Sequence, residues 1–360
     1  MSLDALRGFD MLWIMGGGLL VIAVCRALGY ADGSCVYDQM HHAAWHGLRF
    51  MDTVFPLFLF IAGAAFPFSC ARRLEKGCTR SGVALAALRR GILLFLIGIA
   101  YENSLDLRFA DFRVWSVLGR IGFAWMVGAW LYLVCGIRAR LAVFATLLVG
   151  SALFFGFVPA PGSAAGTDPF SAEGNFGCWL DRTLTAGHTY RPLFDPEGFA
   201  GLLPSVATAM LGTFAGEWLR RAGASGGRKT LGLLAGAALC GGLAGVFSLF
   251  CPVNKALWSS SFVLAVGAYS LTMLAVFYWI VDVRGWRKWT FPLRVIGVNS
   301  IAIYLAQAIL DFHHAGRFLF GGIVRQLPAA WQETGSAAAY LATCWLFLWL
   351  LYRNRVFFKV

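Results

Sequence analysis

The chain has 360 residues, of which 59% are hydrophobic, 15% aromatic and only 13% charged. A soluble domain carries about 25% charge, so an ordinary water-soluble fold is excluded. The formal net charge is +12, but the basic residues are scattered at the ends of apolar runs with no long basic tract. This argues against a nucleic-acid partner and fits the positive-inside pattern of membrane proteins.

Apolar stretches of about 20 residues, each long enough to cross a bilayer core, recur along the whole chain. The expected fold is all-α, a polytopic transmembrane bundle of about ten spanning helices in a single domain, residues 1–360. The spans are expected near 9–29, 53–70, 83–101, 114–135, 141–159, 198–219, 230–250, 258–281, 291–311 and 336–352. The first run, Phe9 to Gly29, is too long for the apolar core of a cleavable signal and is expected to remain as an anchor. Basic clusters such as Arg72, Arg73, Lys76 and Arg80, or Arg220, Arg221, Arg228 and Lys229, fall on one side of this pattern. That places both termini in the cytoplasm and residues 30–52 and 160–197 in outer loops. No internal repeat is visible, which weakens an alternating-access transporter reading. The nine cysteines lack metal-ligand spacing and lie mostly in apolar runs. Cys35 and Cys178 fall in the outer loops and could pair.

Three polar constellations interrupt the apolar pattern. The first is "HHAAWHGLRFMD", residues 41–52, with three of the six histidines at the lip of the second span. Imidazole suits proton transfer near neutrality, and a carboxylate such as Asp52 at a membrane mouth is costly unless paired or wet. His42 beside Trp45 and Asp52 is therefore a catalytic candidate, although an interfacial histidine can equally cap a helix. The second is "WLDRTLTAGHTYRPLFDPEGFA", residues 179–200. Asp195, Pro196 and Glu197 could simply start the sixth span, but the mixture of acids, arginine and aromatics also suits a sugar. The third comprises Asp4 and Arg7, Arg120 in the fourth span, and Asn299 and Tyr304 in the ninth. Asp4 and Arg7 are spaced to pair along a helix. A lone guanidinium such as Arg120 needs a partner, which an anionic cofactor would supply, or it can snorkel.

Seven segments, in order, resemble the heparan-α-glucosaminide N-acetyltransferase family and its shorter bacterial relatives. They are "SLDALRGFDMLWIMGGG", "HHAAWHGLRFMDTVFPLFLFIAG", "SVLGRIGFAW", "WLDRTLTAGHTY", "DPEGFAGLLPSVATAMLGTFAG", "CPVNKALWSSSFVL" and "VIGVNSIAIYL". The resemblance implies an integral protein of a bacterial inner membrane, surrounded by lipid, that moves acetyl from cytoplasmic acetyl-CoA to an external amino sugar. It also implies a homodimer. Matched residue by residue, the family's catalytic histidine falls on His42, its motif aspartate on Asp52 and its fourth-helix arginine on Arg120. Ile14 and Met15 stand where animal members have Asn-Tyr, and Gln307 stands where they have a histidine. The resulting expectation makes His42 and Asp52 catalytic, and Arg7, Arg120 and Asn299 cofactor-binding. Trp45, Asp181, Arg182, Asp195 and Glu197 would bind substrate, and no metal is expected. The alternatives are O-acylation of a surface glycan and sugar transport.

Overall fold

The computed structural model describes residues 1–30, 33–103, 112–185 and 188–358. Among these residues fifteen α-helices follow one another: α1 (Ser2–Leu12), α2 (Gly18–Ala27), α3 (Cys35–Gln39), α4 (Phe50–Glu75), α5 (Arg80–Glu102), α6 (Val117–Val134), α7 (Ile137–Phe157), α8 (Phe176–Leu184), α9 (Leu202–Arg220), α10 (Gly226–Ser248), α11 (Ser260–Phe277), α12 (Phe291–Val298), α13 (Ser300–Ile309), α14 (Phe312–Val324) and α15 (Gln332–Arg353). Among the described residues, nine helical stretches are long and apolar enough to span a membrane. The pair α12 and α13, bent by 58° at Asn299, makes a tenth. The all-helical, polytopic reading of the sequence holds, and each expected span has a counterpart.

Helix ends are set by local chemistry. The side chains of Thr79, Ser116, Asn175, Ser225 and Asp311 accept backbone N–H groups at the starts of α5, α6, α8, α10 and α14, supplying partners that the first helical turn lacks. The first span differs from expectation. It begins at Ser2 rather than residue 9, because Asp4, Arg7 and Asp10 lower the apolarity of its first turns without interrupting the helix. Between α1 and α2 the chain runs as a π-helical turn, Trp13–Gly17, with Gly16 at φ 125°, a backbone conformation natural only to glycine.

The chain divides into two compact units. The first comprises residues 1–43, 49–54 and 276–359. Its core joins Met11, Met15, Val295, Ile296, Ile303, Tyr340, Cys344 and Leu348. Here α1 lies so close to α12 that a Cβ on Gly8 would collide with the Leu293 carbonyl, and one on Gly297 with that of Asp4. The second unit comprises residues 44–48 and 55–275. In it α4 and α9 meet in the same manner, Gly212 against the Phe60 carbonyl and Gly216 against that of Ala64. Small residues permit this approach, on which helix association in lipid relies. All nine cysteines are free; Cys35 is exposed and Cys178 buried.

Candidate functional site

The site in the first unit is built at the start of α4. Asp52 sits in the first turn of that helix and is only 1% exposed. Its Oδ2 accepts the backbone N–H groups of Ala43 at 3.1 Å and Arg49 at 3.0 Å, much as an acid in a capping box reaches back over a helix start. Its Oδ1 lies 2.7 Å from His42 Nδ1. A buried carboxylate is acceptor-only when ionised, so the pairing assigns the proton to Nδ1 and leaves Nε2 as the basic nitrogen. The His42 side chain is 57% exposed, so the ring is held from behind while its edge reaches solvent. The neighbouring histidines are engaged elsewhere. His41 Nδ1 meets the Tyr37 carbonyl at 3.0 Å. His46 lies 3.3 Å from the Asn254 amide, and burial lowers its pKa.

The polar cluster of the second unit is organised by a residue that the sequence did not single out. Arg113 donates to Asp195 through Nε at 2.9 Å and Nη2 at 2.7 Å, to Glu197 at 2.6 Å and to Glu102 at 2.6 Å. Its guanidinium also stacks 4.9 Å from the Tyr190 ring centre. Burial opposes the charge on Arg113, but the hydrogen bonds and charge of Asp195, with the charges of Glu197 and Glu102, raise its pKa overall. Asp195 additionally accepts the backbone N–H groups of Tyr190 and Glu197. The only sequence signal for this hub was an arginine among several outer-loop acids.

The other residues expected to contact substrate are also held by the protein. Trp45 Nε1 donates to the Phe170 carbonyl at 2.9 Å, and its ring meets Phe194 edge-on. Arg182 donates to the carbonyls of Ala172 and Leu193, stapling the loop that carries it. Asp181 is 3% exposed and accepts the Phe199 N–H at 2.6 Å. Burial pushes its pKa up to about 7, against the opposing Phe199 hydrogen bond and Arg120 charge. Arg120 converges on the same backbone corner, donating from Nη2 to the Gly198 carbonyl at 2.9 Å. It is 1% exposed and lies 5.0 Å from the Trp258 ring centre, while Nε and Nη1 have no hydrogen-bond partner.

Of the expected cofactor residues in the first unit, Arg7 makes a 3.5 Å ion pair with Asp4. Asn299 marks the α12–α13 bend and fastens the C-terminal segment, donating to the Val356 carbonyl and accepting from Phe358 N–H. Gln307 bonds Tyr340 Oη and the Met15 carbonyl. Among the described residues, no group of three or more His, Cys, Asp or Glu side chains could hold a metal ion.

No protein-family model matches the chain. Two curated relatives do. Heparan-alpha-glucosaminide N-acetyltransferase of Homo sapiens is 27% identical over 413 aligned positions covering 100% of this chain. The Mus musculus protein of the same name is 25% identical over 95% of it. The chain spans 59% of the length of each relative. Similarity over nearly its whole length supports the resemblance seen in the seven motifs: the chain is similar from end to end to the heparan-α-glucosaminide N-acetyltransferases of human and mouse.

Proposed function

We propose that this protein is a membrane-embedded N-acetyltransferase that moves acetyl from cytoplasmic acetyl-CoA to the amine of an external amino sugar or terminal glucosaminide. The His42–Asp52 dyad carries this reading. An amine attacks a thioester only when neutral, so a base must take its proton. His42 Nε2 is the nitrogen aimed away from Asp52, on a half-exposed ring that a sugar could reach. In the reaction the amine nitrogen bonds the acetyl carbon and the carbon–sulfur bond breaks. The amine proton passes to Nε2, and the imidazolium returns it to the departing thiolate. Asp52 stabilises the imidazolium and holds the ring in one tautomer.

The basic residues clustered between the spans support an orientation with both termini in the cytoplasm. Residues 30–52, which include His42, then face outward. Arg7, with a long ion pair to Asp4 as its protein contact, is the residue we assign to the phosphates of the acyl donor, through charge-assisted hydrogen bonds. Asp181 is the carboxylate assigned to the sugar, because Asp195 and Glu197 are already neutralised by Arg113.

The test is acetyl transfer by purified protein in lipid nanodiscs, with labelled acetyl-CoA offered to glucosamine and to sugars bearing only hydroxyls. The proposal expects an amide product from glucosamine alone. Acetyl on oxygen only would replace it with glycan O-acylation, and counterflow of unmodified sugar without acetyl-CoA would replace it with transport.

A further inference from the structure

In the first half of the membrane-spanning stretch α1–α2, two polar side chains have no hydrogen-bond partner among the described residues. Asp10 is 1% exposed, and neither of its carboxylate oxygens is bonded. One turn on, the indole Nε1 of Trp13 is buried and also unbonded. An unsatisfied polar group in a membrane span is costly, and an intramembrane carboxyl without a partner marks a functional position. The two do not bond each other, although their spacing places their Cβ atoms about 5–6 Å apart.

Their position on α1 is specific. Asp4 and Gly8 form the face of α1 pressed against α12. At 100° per residue, Asp10 stands opposite Gly8, with Arg7 and Trp13 flanking it three positions to either side. Trp13 stands among aromatic rings. Trp13 packs against Phe9 at 5.9 Å and Phe50 at 4.7 Å, and Phe9 packs on Phe277. Immediately beyond lies the π-helical turn Trp13–Gly17, a rare distortion found often at functional sites. Phe50 opens α4, the helix whose first turn carries Asp52.

The chemistry of the pair narrows the ligand. A carboxyl group accepts hydrogen bonds through its carbonyl oxygen whatever its charge, and an indole N–H only donates. A ligand that only accepts would leave the Asp10 oxygen unused, and one that only donates would leave the indole unused. A secondary amide supplies both an N–H and a carbonyl. Resting on the acetyl-CoA reading above, we propose that Asp10 and Trp13 bind the amide-bearing pantetheine arm, Asp10 accepting an amide N–H and Trp13 donating to an amide carbonyl. Along about 9 Å of α1, the cation Arg7, the acceptor Asp10 and the donor Trp13 then precede the dyad at the start of α4. The donor's own groups follow the same order: phosphates, amides, thioester.

The experiment compares binding of acetyl-CoA with that of adenosine 3′,5′-bisphosphate, which lacks the arm, to the full-length protein in nanodiscs. Asp10→Ala should weaken acetyl-CoA about tenfold and Trp13→Phe about fivefold, the scale of one lost hydrogen bond each. Affinity for the bisphosphate should stay within about twofold, which also reports that the variants are folded. Unchanged acetyl-CoA affinity in both variants would overturn the inference, leaving water as the partner of the two groups. Equal weakening of both ligands would overturn it too, because the residues would then act through the shape of α1. Wild-type protein that binds neither ligand would instead overturn the acetyl-CoA reading on which the inference rests.

Discussion

Replacing Asp52 by Asn tests the dyad without changing its shape. The amide oxygen can keep the backbone N–H groups of Ala43 and Arg49, so the start of α4 should survive. The amide nitrogen then faces His42 Nδ1, 2.7 Å away in the native protein. Two donors cannot share that distance, so the ring must move its proton to Nε2 and loses the basic nitrogen it offered to substrate. The charge that stabilises the imidazolium is lost as well. A hydrogen bond to a charged group contributes about 1.5–3 kcal/mol, and the tautomer change adds to this. The half-exposed ring lets water screen part of the loss, which holds the total to about 2–4 kcal/mol, or roughly 30- to 1,000-fold in kcat. Steady-state transfer from labelled acetyl-CoA to glucosamine measures it, with the KM for acetyl-CoA expected to stay constant. A kcat within threefold of wild type, in protein of unchanged melting temperature, would refute the orienting role of Asp52.

His42→Ala should abolish transfer by about 10²–10⁴-fold, whereas His41→Ala and His46→Ala, whose rings bond Tyr37 and Asn254, should keep most activity; a dead His41 or His46 variant beside a normal His42 variant would relocate the base. Arg113→Gln strips the counter-ion from Glu102, Asp195 and Glu197 and should destabilise the protein by about 3–5 kcal/mol; an unchanged melting temperature would contradict the hub. Asp181, with its pKa pushed up from 3.8 to about 7, keeps its proton in the fold while the unfolded chain releases it, so its contribution to stability is full below pH ~4 and is lost as pH rises towards ~7. The change is at most about 4 kcal/mol, and Asp181→Asn should flatten that part of the melting-temperature profile measured from pH 4 to pH 8, while wild type and variant with parallel profiles would show that the carboxyl is not buried in this way.

The spans were legible because lipid imposes a length and an apolarity that no other pressure mimics. Where the reading slipped, a polar residue was responsible. Asp4, Arg7 and Asp10 concealed the first turns of α1, and Asn299 bends a span that looked continuous. Helices α8 and α14 lie in segments read as loops, because both are too short to span. His42 and Asp52 could be linked in advance because ten residues separate them and both stand at one helix mouth. The hub at Arg113 could not. Its acids come from 11, 82 and 84 residues away, and a sequence does not say which of several arginines a carboxylate will meet. For the same reason Asp195 and Glu197 read as available acids, when each is bonded to one guanidinium.

Polar groups in a membrane protein fall into classes that satisfaction alone separates. Arg113, Asp195, Glu197, Arg182 and Asn299 have protein partners for their charges or amides, so each is explained by the fold it holds together. Asp52 also has partners, but one of them is a half-exposed imidazole, and a buried acid spent on orienting an accessible ring is poor economy for stability alone. Arg120 is intermediate, with one N–H on the Gly198 carbonyl, an aromatic ring beneath it and two nitrogens unbonded. Asp10 has nothing. A buried carboxyl without a partner is costly to the fold unless something outside it supplies the missing hydrogen bonds. The ranking therefore runs opposite to intuition: the most heavily bonded acids of the polar loop are the least informative about chemistry, and the unbonded carboxylate in α1 is the most.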